Sequence, residues 1–185
     1  FVYSADLGID KVMIYKLDSK SGKLTPNGAA KVPAGGGARH MAFSKNGKML
    51  YVLNELTLTV SSFTRDEKSG KLKLESTKPV MKEIAEGMSC SEIQVSADGE
   101  FLYIACRDLD HKNRDVISVL SVADLRIIQE HPTGVWIPRH FGISQSGKWM
   151  LIAGQRDNKV VVHACNPITG RLEKTPYSVD LEKPM

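Results

Sequence analysis

Between residues 38 and 153 the chain repeats one pattern of apolar and polar positions three times. A first strand alternates: His40, Ala42 and Ser44 point one way and Met41 and Phe43 the other, and Ile93/Val95 and Phe141/Ile143 keep the same phase. Asn46-Gly47, Asp98-Gly99 and Ser146-Gly147 follow, each pair placing glycine where a hairpin needs positive φ. Then comes an unbroken apolar run, Met49 to Leu53, Phe101 to Ala105 and Trp149 to Ala153. Such runs predict strands buried on both faces, sandwiched between sheets. The turn glycines stand at 47, 99 and 147, so the period is 52 and then 48 residues.

The same frame extends in both directions. Phe1 to Ala5 reads as a second strand, since Tyr3 stands 48 residues before Tyr51; Val12 to Leu17 and Leu24 to Val32 complete that unit. A later turn recurs as Ser21-Gly22-Lys23-Leu24, Ser69-Gly70-Lys71-Leu72 and Thr169-Gly170-Arg171-Leu172. Only the third unit departs, with a charged loop from Asp108 to Asp115 and Val122-Ala123-Asp124-Leu125 in place of the glycine turn. No segment has helical periodicity. Four short strands per repeat of this length predict an all-β fold, a β-propeller of four-stranded antiparallel blades, with about three and three-quarter blades in this chain. No linker interrupts it, so 1–185 reads as a single partial propeller: an incomplete blade at 1–33, then blades at 38–83, 91–131 and 139–181.

Composition removes several classes of function. The chain is 42% hydrophobic and 25% charged, and no apolar run approaches the roughly 18 residues of a membrane span. The first residues lack a basic-then-apolar signal layout, so no membrane association is expected. Three cysteines without metal-type spacing fit a reducing compartment and a cytoplasmic location. The net charge of +4 comes from scattered lysines, not a stripe with interleaved aromatics, so no nucleic-acid partner is expected.

The repeat aligns polar residues in columns. His40, Glu92 and His140 share one, preceded by Arg39, Ser91 and Arg139; Glu55, Arg107 and Gln155 share another at the end of the next strand. In a propeller the first strand of each blade is innermost, so these groups are expected around the mouth of the channel. Imidazole titrates near neutrality and can move a proton, Glu92 can orient it, and arginines can hold an anionic group through bidentate bonds. Other residues read as structural. Trp136 and Trp149 are expected to pack, with Trp136 the better placed to touch a ligand; His111 is expected in solvent and His163 as a satisfied strand residue. Gly35-Gly36-Gly37 could cradle a phosphate with backbone N–H groups. Nothing calls for a cofactor, and the spacing of histidines and carboxylates supports no metal site.

Arg-His-(Met/Phe)-x-(Phe/Ile)-Ser-x-x-Gly-Lys at 39–48 and 139–148, Asn54-Glu55-Leu56, and Cys90-Ser91-Glu92-Ile93 through Asp98-Gly99 resemble the seven-bladed lactonase family. That family joins propeller-type 6-phosphogluconolactonases with carboxymuconate cyclases. The resemblance implies hydrolysis of a phosphorylated sugar lactone without a metal, or closure of a carboxylated muconate to a lactone. It implies His40, Glu92 and His140 as catalytic, with either histidine the one that acts, and Arg39, Arg107, Arg139 and Glu55 around a small anionic substrate. Cys106-Arg107-Asp108 stands where the family has Asn-Arg-Gly. The chain is about half of such a protein, so a further N-terminal half or a second copy is expected to close the ring. A non-catalytic propeller that binds a protein or peptide at its mouth is the reading from another class.

Overall fold

The computed structural model describes residues 1–185 and contains fifteen β-strands and no helix. They are β1 (Val2–Asp6), β2 (Lys11–Leu17), β3 (Leu24–Lys31), β4 (Ala38–Phe43), β5 (Met49–Asn54), β6 (Thr59–Arg65), β7 (Leu72–Pro79), β8 (Met88–Val95), β9 (Phe101–Asp108), β10 (Val116–Ser121), β11 (Ile127–Pro132), β12 (Pro138–Ile143), β13 (Trp149–Gly154), β14 (Lys159–Cys165) and β15 (Leu172–Asp180). They form one three-stranded sheet, β1-β2-β3, and three four-stranded sheets, β4 to β7, β8 to β11 and β12 to β15, each a meander of sequential neighbours. All pairings are antiparallel. This is the propeller-blade architecture that the repeat predicts. Two compact units divide the chain, Phe1–Pro79 and Val80–Met185, each holding two sheets.

Local chemistry explains the turns. Gly47, Gly99 and Gly147 adopt φ of 68°, 89° and 70°, and the preceding Asn46 and Asp98 accept backbone N–H bonds from Lys48 and Glu100. At the later turn Gly22, Gly70 and Gly170 return N–H bonds to the carbonyls of Asp18, Asp66 and Asn166. In the departing third repeat the bond persists from Leu125 to Ser121, and Leu125 takes the left-handed conformation at φ 57°. Its burial, at 7% exposure, offsets the steric cost of roughly 1 kcal/mol.

Within the first unit, Val12, Leu50, Val52 and Phe63 form a core flanked by Tyr3, Met41 and Leu72. In the second, Tyr103, Ile117, Val119, Phe141, Met150, Ile152 and Leu172 do the same. One hydrogen bond recurs in both: Tyr3 donates its hydroxyl to the Gly70 carbonyl at 2.8 Å, and Tyr103 donates to that of Gly170 at 3.0 Å. Each tyrosine therefore ties the second strand of one blade to the last turn of the next.

One expectation fails. β5 and β9 are buried on both faces, but in β13 only Met150, Ile152, Ala153 and Gly154 are buried, while Trp149 and Leu151 are 42% and 46% exposed. Met150 and Ile152 face the sheet of β8 to β11 through the shared core, whereas Trp149 and Leu151 project from the opposite face, against which the second unit packs no sheet. An apolar run records what a strand can bury, not whether a neighbour covers it. No helix is long and apolar enough to cross a membrane.

Candidate active site

The columns of polar residues coincide with a break in the strand ladder. Ala38 pairs with Asn54 and Met41 with Val52, Cys90 with Cys106 and Glu92 with Ala105, and Pro138 with Gly154 and His140 with Ala153. Each copy thus has a β-bulge at residues 39–40, at 91 and at 139. A bulge rotates the side chains beside it out of the regular alternation and increases local twist. These residues are aimed by a backbone irregularity that no hydrophobic pattern encodes.

In the second unit the bulges bring together two of the predicted residues from adjacent blades. His140 Nε2 lies 3.1 Å from Glu92 Oε2; the glutamate side chain is 9% exposed and the imidazole 47%. Glu92 Oε1 accepts the backbone N–H of Ile93, which fixes the carboxylate. Ser91, the bulged residue, donates its hydroxyl to the Pro138 carbonyl at 2.7 Å, linking β8 to the start of β12 just before Arg139 and His140. Arg139 is half-buried. Arg107 is only 4% exposed and donates from Nη2 to the Cys90 carbonyl, so part of this guanidinium is committed to the backbone beside the site. Cys90 and Cys106 are buried with their sulfurs 3.5 Å apart.

In the first unit, Arg39 Nη1 and Glu55 Oε2 form an ion pair at 2.7 Å, with side chains 18% and 13% exposed. The two columns therefore meet across β4 and β5, where Glu55 holds Arg39. His40 beside them is exposed. The family model described as "Lactonase, 7-bladed beta-propeller" matches residues 1–185. The chain belongs to the seven-bladed lactonase family.

The relatives agree. The chain is similar to a 6-phosphogluconolactonase of Formosa agariphila, 32% identical over 97% of this chain and 51% of that protein. It is 29% identical to the 6-phosphogluconolactonase of Bacillus subtilis over 100% of this chain and 52% of that one. A solved structure of a periplasmic gluconolactonase from Pseudomonas aeruginosa superposes with a TM-score of 0.86 at 29% identity, covering 98% of this chain and 51% of that one. The chain spans about half the length of the curated relatives it matches.

Several features of this lactonase-family chain are not legible in its motifs. The charged loop after β9 folds around Asp108, which accepts N–H bonds from Asp110, Lys112 and Arg114 and an Arg114 guanidinium bond at 2.7 Å. Burial pushes the Asp108 carboxyl up, but the Arg114 guanidinium and the three backbone N–H groups outweigh it and hold it at about 2. Asp115, at the other end of the loop, is 6% exposed; burial pushes its carboxyl up to about 6 against two backbone N–H bonds. With His111, Thr133, Trp136, Asp157 and Lys174 it lines a cavity of 230 Å³. His111 is exposed, as expected, yet its ring stacks on Trp136 with centroids 3.8 Å apart. Trp136 in turn donates from Nε1 to the Asp108 carbonyl, so the indole bridges two loops.

His163 is satisfied by a partner that sequence reasoning overlooked, with its Nδ1 2.9 Å from Nε2 of the buried His131. The Gly35-Gly36-Gly37 run has its N–H groups occupied: Gly35 and Gly37 donate to Asp10 and Gly36 to the Pro33 carbonyl. Those donors serve the loop and are not turned toward a phosphate.

Proposed function

We propose that the chain contributes the proton-transfer site of a lactone hydrolase acting on an anionic sugar lactone of the 6-phosphogluconolactone type. The observation that carries this reading is the His140–Glu92 pair, an exposed imidazole held at 3.1 Å by a nearly buried carboxylate. With Nε2–H donating to Glu92 Oε2, the neutral ring keeps its lone pair at Nδ1. Nδ1 can take a proton from a water as that water's oxygen attacks the lactone carbonyl. As the tetrahedral centre collapses, the ring C–O bond breaks and the imidazolium returns its proton to the leaving oxygen. The sum is one water added and one hydroxy acid released. Glu92 orients the ring and stabilises the transient imidazolium, the role a buried carboxylate plays behind a general-base histidine.

Arg139, beside His140, and Arg107, beside the bulge at Ser91 that aims Glu92, supply positive charge for the substrate's anionic group. In the first unit His40 occupies the equivalent place, and Arg39, oriented by Glu55, is the corresponding anion-binding group. Relatives named 6-phosphogluconolactonase that cover nearly all of this chain support the substrate class.

Hydrolysis of 6-phosphogluconolactone by the protein, followed as acid release in a pH-stat, tests the reading. His140→Ala and Glu92→Gln are each expected to lower kcat by at least about tenfold, against the roughly 100- to 10,000-fold that general acid–base catalysis contributes. Arg139→Ala is expected to raise KM more than it lowers kcat. Wild-type turnover in both His140→Ala and Glu92→Gln would sink the assignment.

A further inference from the structure

The residue immediately before the third strand of each blade forms a column of its own: Asp10 before β2, Leu58 before β6, Asp115 before β10 and Asn158 before β14. In three of the four it grips the connection that leaves the same blade. The backbone carbonyls of Asp10, Asp115 and Asn158 accept from the N–H of Val32, Thr133 and Leu181. Their side chains then accept a second N–H farther along: Asp10 from Gly37 and Gly35, each at 2.8 Å, Asp115 from Ile137 at 3.1 Å, and Asn158 from Lys183 at 2.9 Å.

Gly37 and Ile137 directly precede Ala38-Arg39-His40 and Pro138-Arg139-His140. Both are left-handed, at φ 69° and 56°. For a β-branched isoleucine that conformation is an outlier, and it persists only where neighbours hold it. The neighbours are identifiable. The N–H of Ile137 goes to Asp115 and its carbonyl accepts from Gln155; the N–H of Gly37 goes to Asp10 and its carbonyl accepts from Glu55. The next residues enter the bulge that aims the Arg-His side chains. Asp115 Oδ1 also accepts from the N–H of Asp108, adjacent to Arg107, so one buried oxygen ties the end of β9 to the entry of β12.

The exception follows the same logic. Where the column holds Leu58, the next blade presents Ser91-Glu92 and no Arg-His, and its first strand starts with Met88 paired to Asp108, so β8 has 8 residues against 6 in β4 and β12. There the ladder itself sets the entry.

We infer that Asp10 and Asp115 are positioning residues whose carboxylates set the left-handed entry, and through it the placement, of Arg39-His40 and Arg139-His140. The inference rests on the reading of those residues as the site, and it adds two side chains that touch no substrate. Leucine in place of Asp115, as nature has at position 58, removes the acceptor and lets residues 137–139 relax. Asparagine keeps an oxygen where Oδ1 stands, and Asn158 shows that an amide suffices.

The test compares wild type, Asp115→Leu and Asp115→Asn in two readouts. The first is the ¹⁵N and ¹³C resonances of the His140 ring, which report its Nε2 bond to Glu92; the second is kcat/KM for the lactone. Asp115→Leu is expected to shift the His140 resonances toward those of a solvated ring and to lower kcat/KM by about 10- to 100-fold, as small misplacements of catalytic groups do. Asp115→Asn is expected to restore both. If Asp115→Leu does not fold, Asp115→Ser, too short to reach Ile137, takes its place, with unfolding curves confirming a native fold. Unchanged His140 resonances in a folded Leu or Ser variant would overturn the inference, as would failure of Asp115→Asn to restore them. Shifted resonances together with a lactonase rate indifferent to His140→Ala would leave the positioning role standing and defeat the proposed function instead.

Discussion

Acid should remove the stability that the buried histidine pair gives the second unit, and the hydrogen bonds show why. Gln129 Oε1 accepts the N–H of Leu172, which orients the amide so that Nε2 donates, to the Leu172 carbonyl and to His131 Nδ1 at 3.2 Å. His131 therefore carries its proton on Nε2 and donates it to His163 Nδ1 at 2.9 Å. Every inward lone pair of the two rings is taken, so a further proton must break one of these bonds. Burial first, then His163 and Lys174, push His131 down to about 4, and burial with Lys174 pushes His163 down as well. The unfolded chain, with its histidines at about 6.5, binds the extra proton more readily. The pair's contribution is thus fully present above pH 6.5 and is lost as pH falls toward 4. Roughly 2.5 pH units at about 1.4 kcal/mol each make this about 3 kcal/mol for His131 alone.

Asp115 acts in the opposite sense. Its carboxyl, raised to about 6, contributes stability that is lost as pH rises through 6, so acidification from 6 toward 4 returns about 3 kcal/mol. The wild-type curve alone would hide both effects, and the informative quantity is a difference. Urea unfolding followed by the fluorescence of Trp136 and Trp149 should be compared at pH 7, 6, 5 and 4.5 for wild type and His131→Gln, which keeps a neutral donor toward His163. The variant should be less stable at pH 7 and gain on wild type by about 2–3 kcal/mol by pH 4.5. Two curves parallel within about 0.5 kcal/mol would refute the reasoning.

Further outcomes follow from packing. Tyr103→Phe removes the bond to Gly170 and should cost about 1 kcal/mol in urea unfolding with an unchanged m value, and Tyr3→Phe should do the same in the first unit. Phe141→Ala, at a fully buried position packed against the sheet of β8 to β11, should cost about 3–5 kcal/mol. Gly170→Ala places a Cβ 2.5 Å from the Phe101 ring at a φ of +70°, so its cost should exceed the usual 1 kcal/mol or so of a left-handed alanine. Adding Phe101→Leu should recover part of it, and a strictly additive double mutant would argue against the clash.

What could be read from the chain was what short range and repetition encode. Alternation, Asn-Gly-type turns and apolar runs are local consequences of the two-residue period of a strand, and a repeat of about 50 residues puts each blade in register with the next. That register was enough to place Glu92 and His140 in one column, one blade apart. The 3.1 Å between them came from tertiary structure, because a bulge at 91 and another at 139 turn both side chains off the strand period. The same limit hid Asp115, His131 and the Trp136–His111 stack. Each acts on a partner 22 to 32 residues away, or on a loop whose path is set by packing, and no spacing rule relates such pairs. The exposed side of β13 is the converse case, since its sequence is as apolar as that of β5 and only the presence or absence of a covering sheet decides its burial. Sequence determined the blades and the order of the polar columns; the packing of neighbouring blades decided which of those groups touch and which backbone is held strained to aim them.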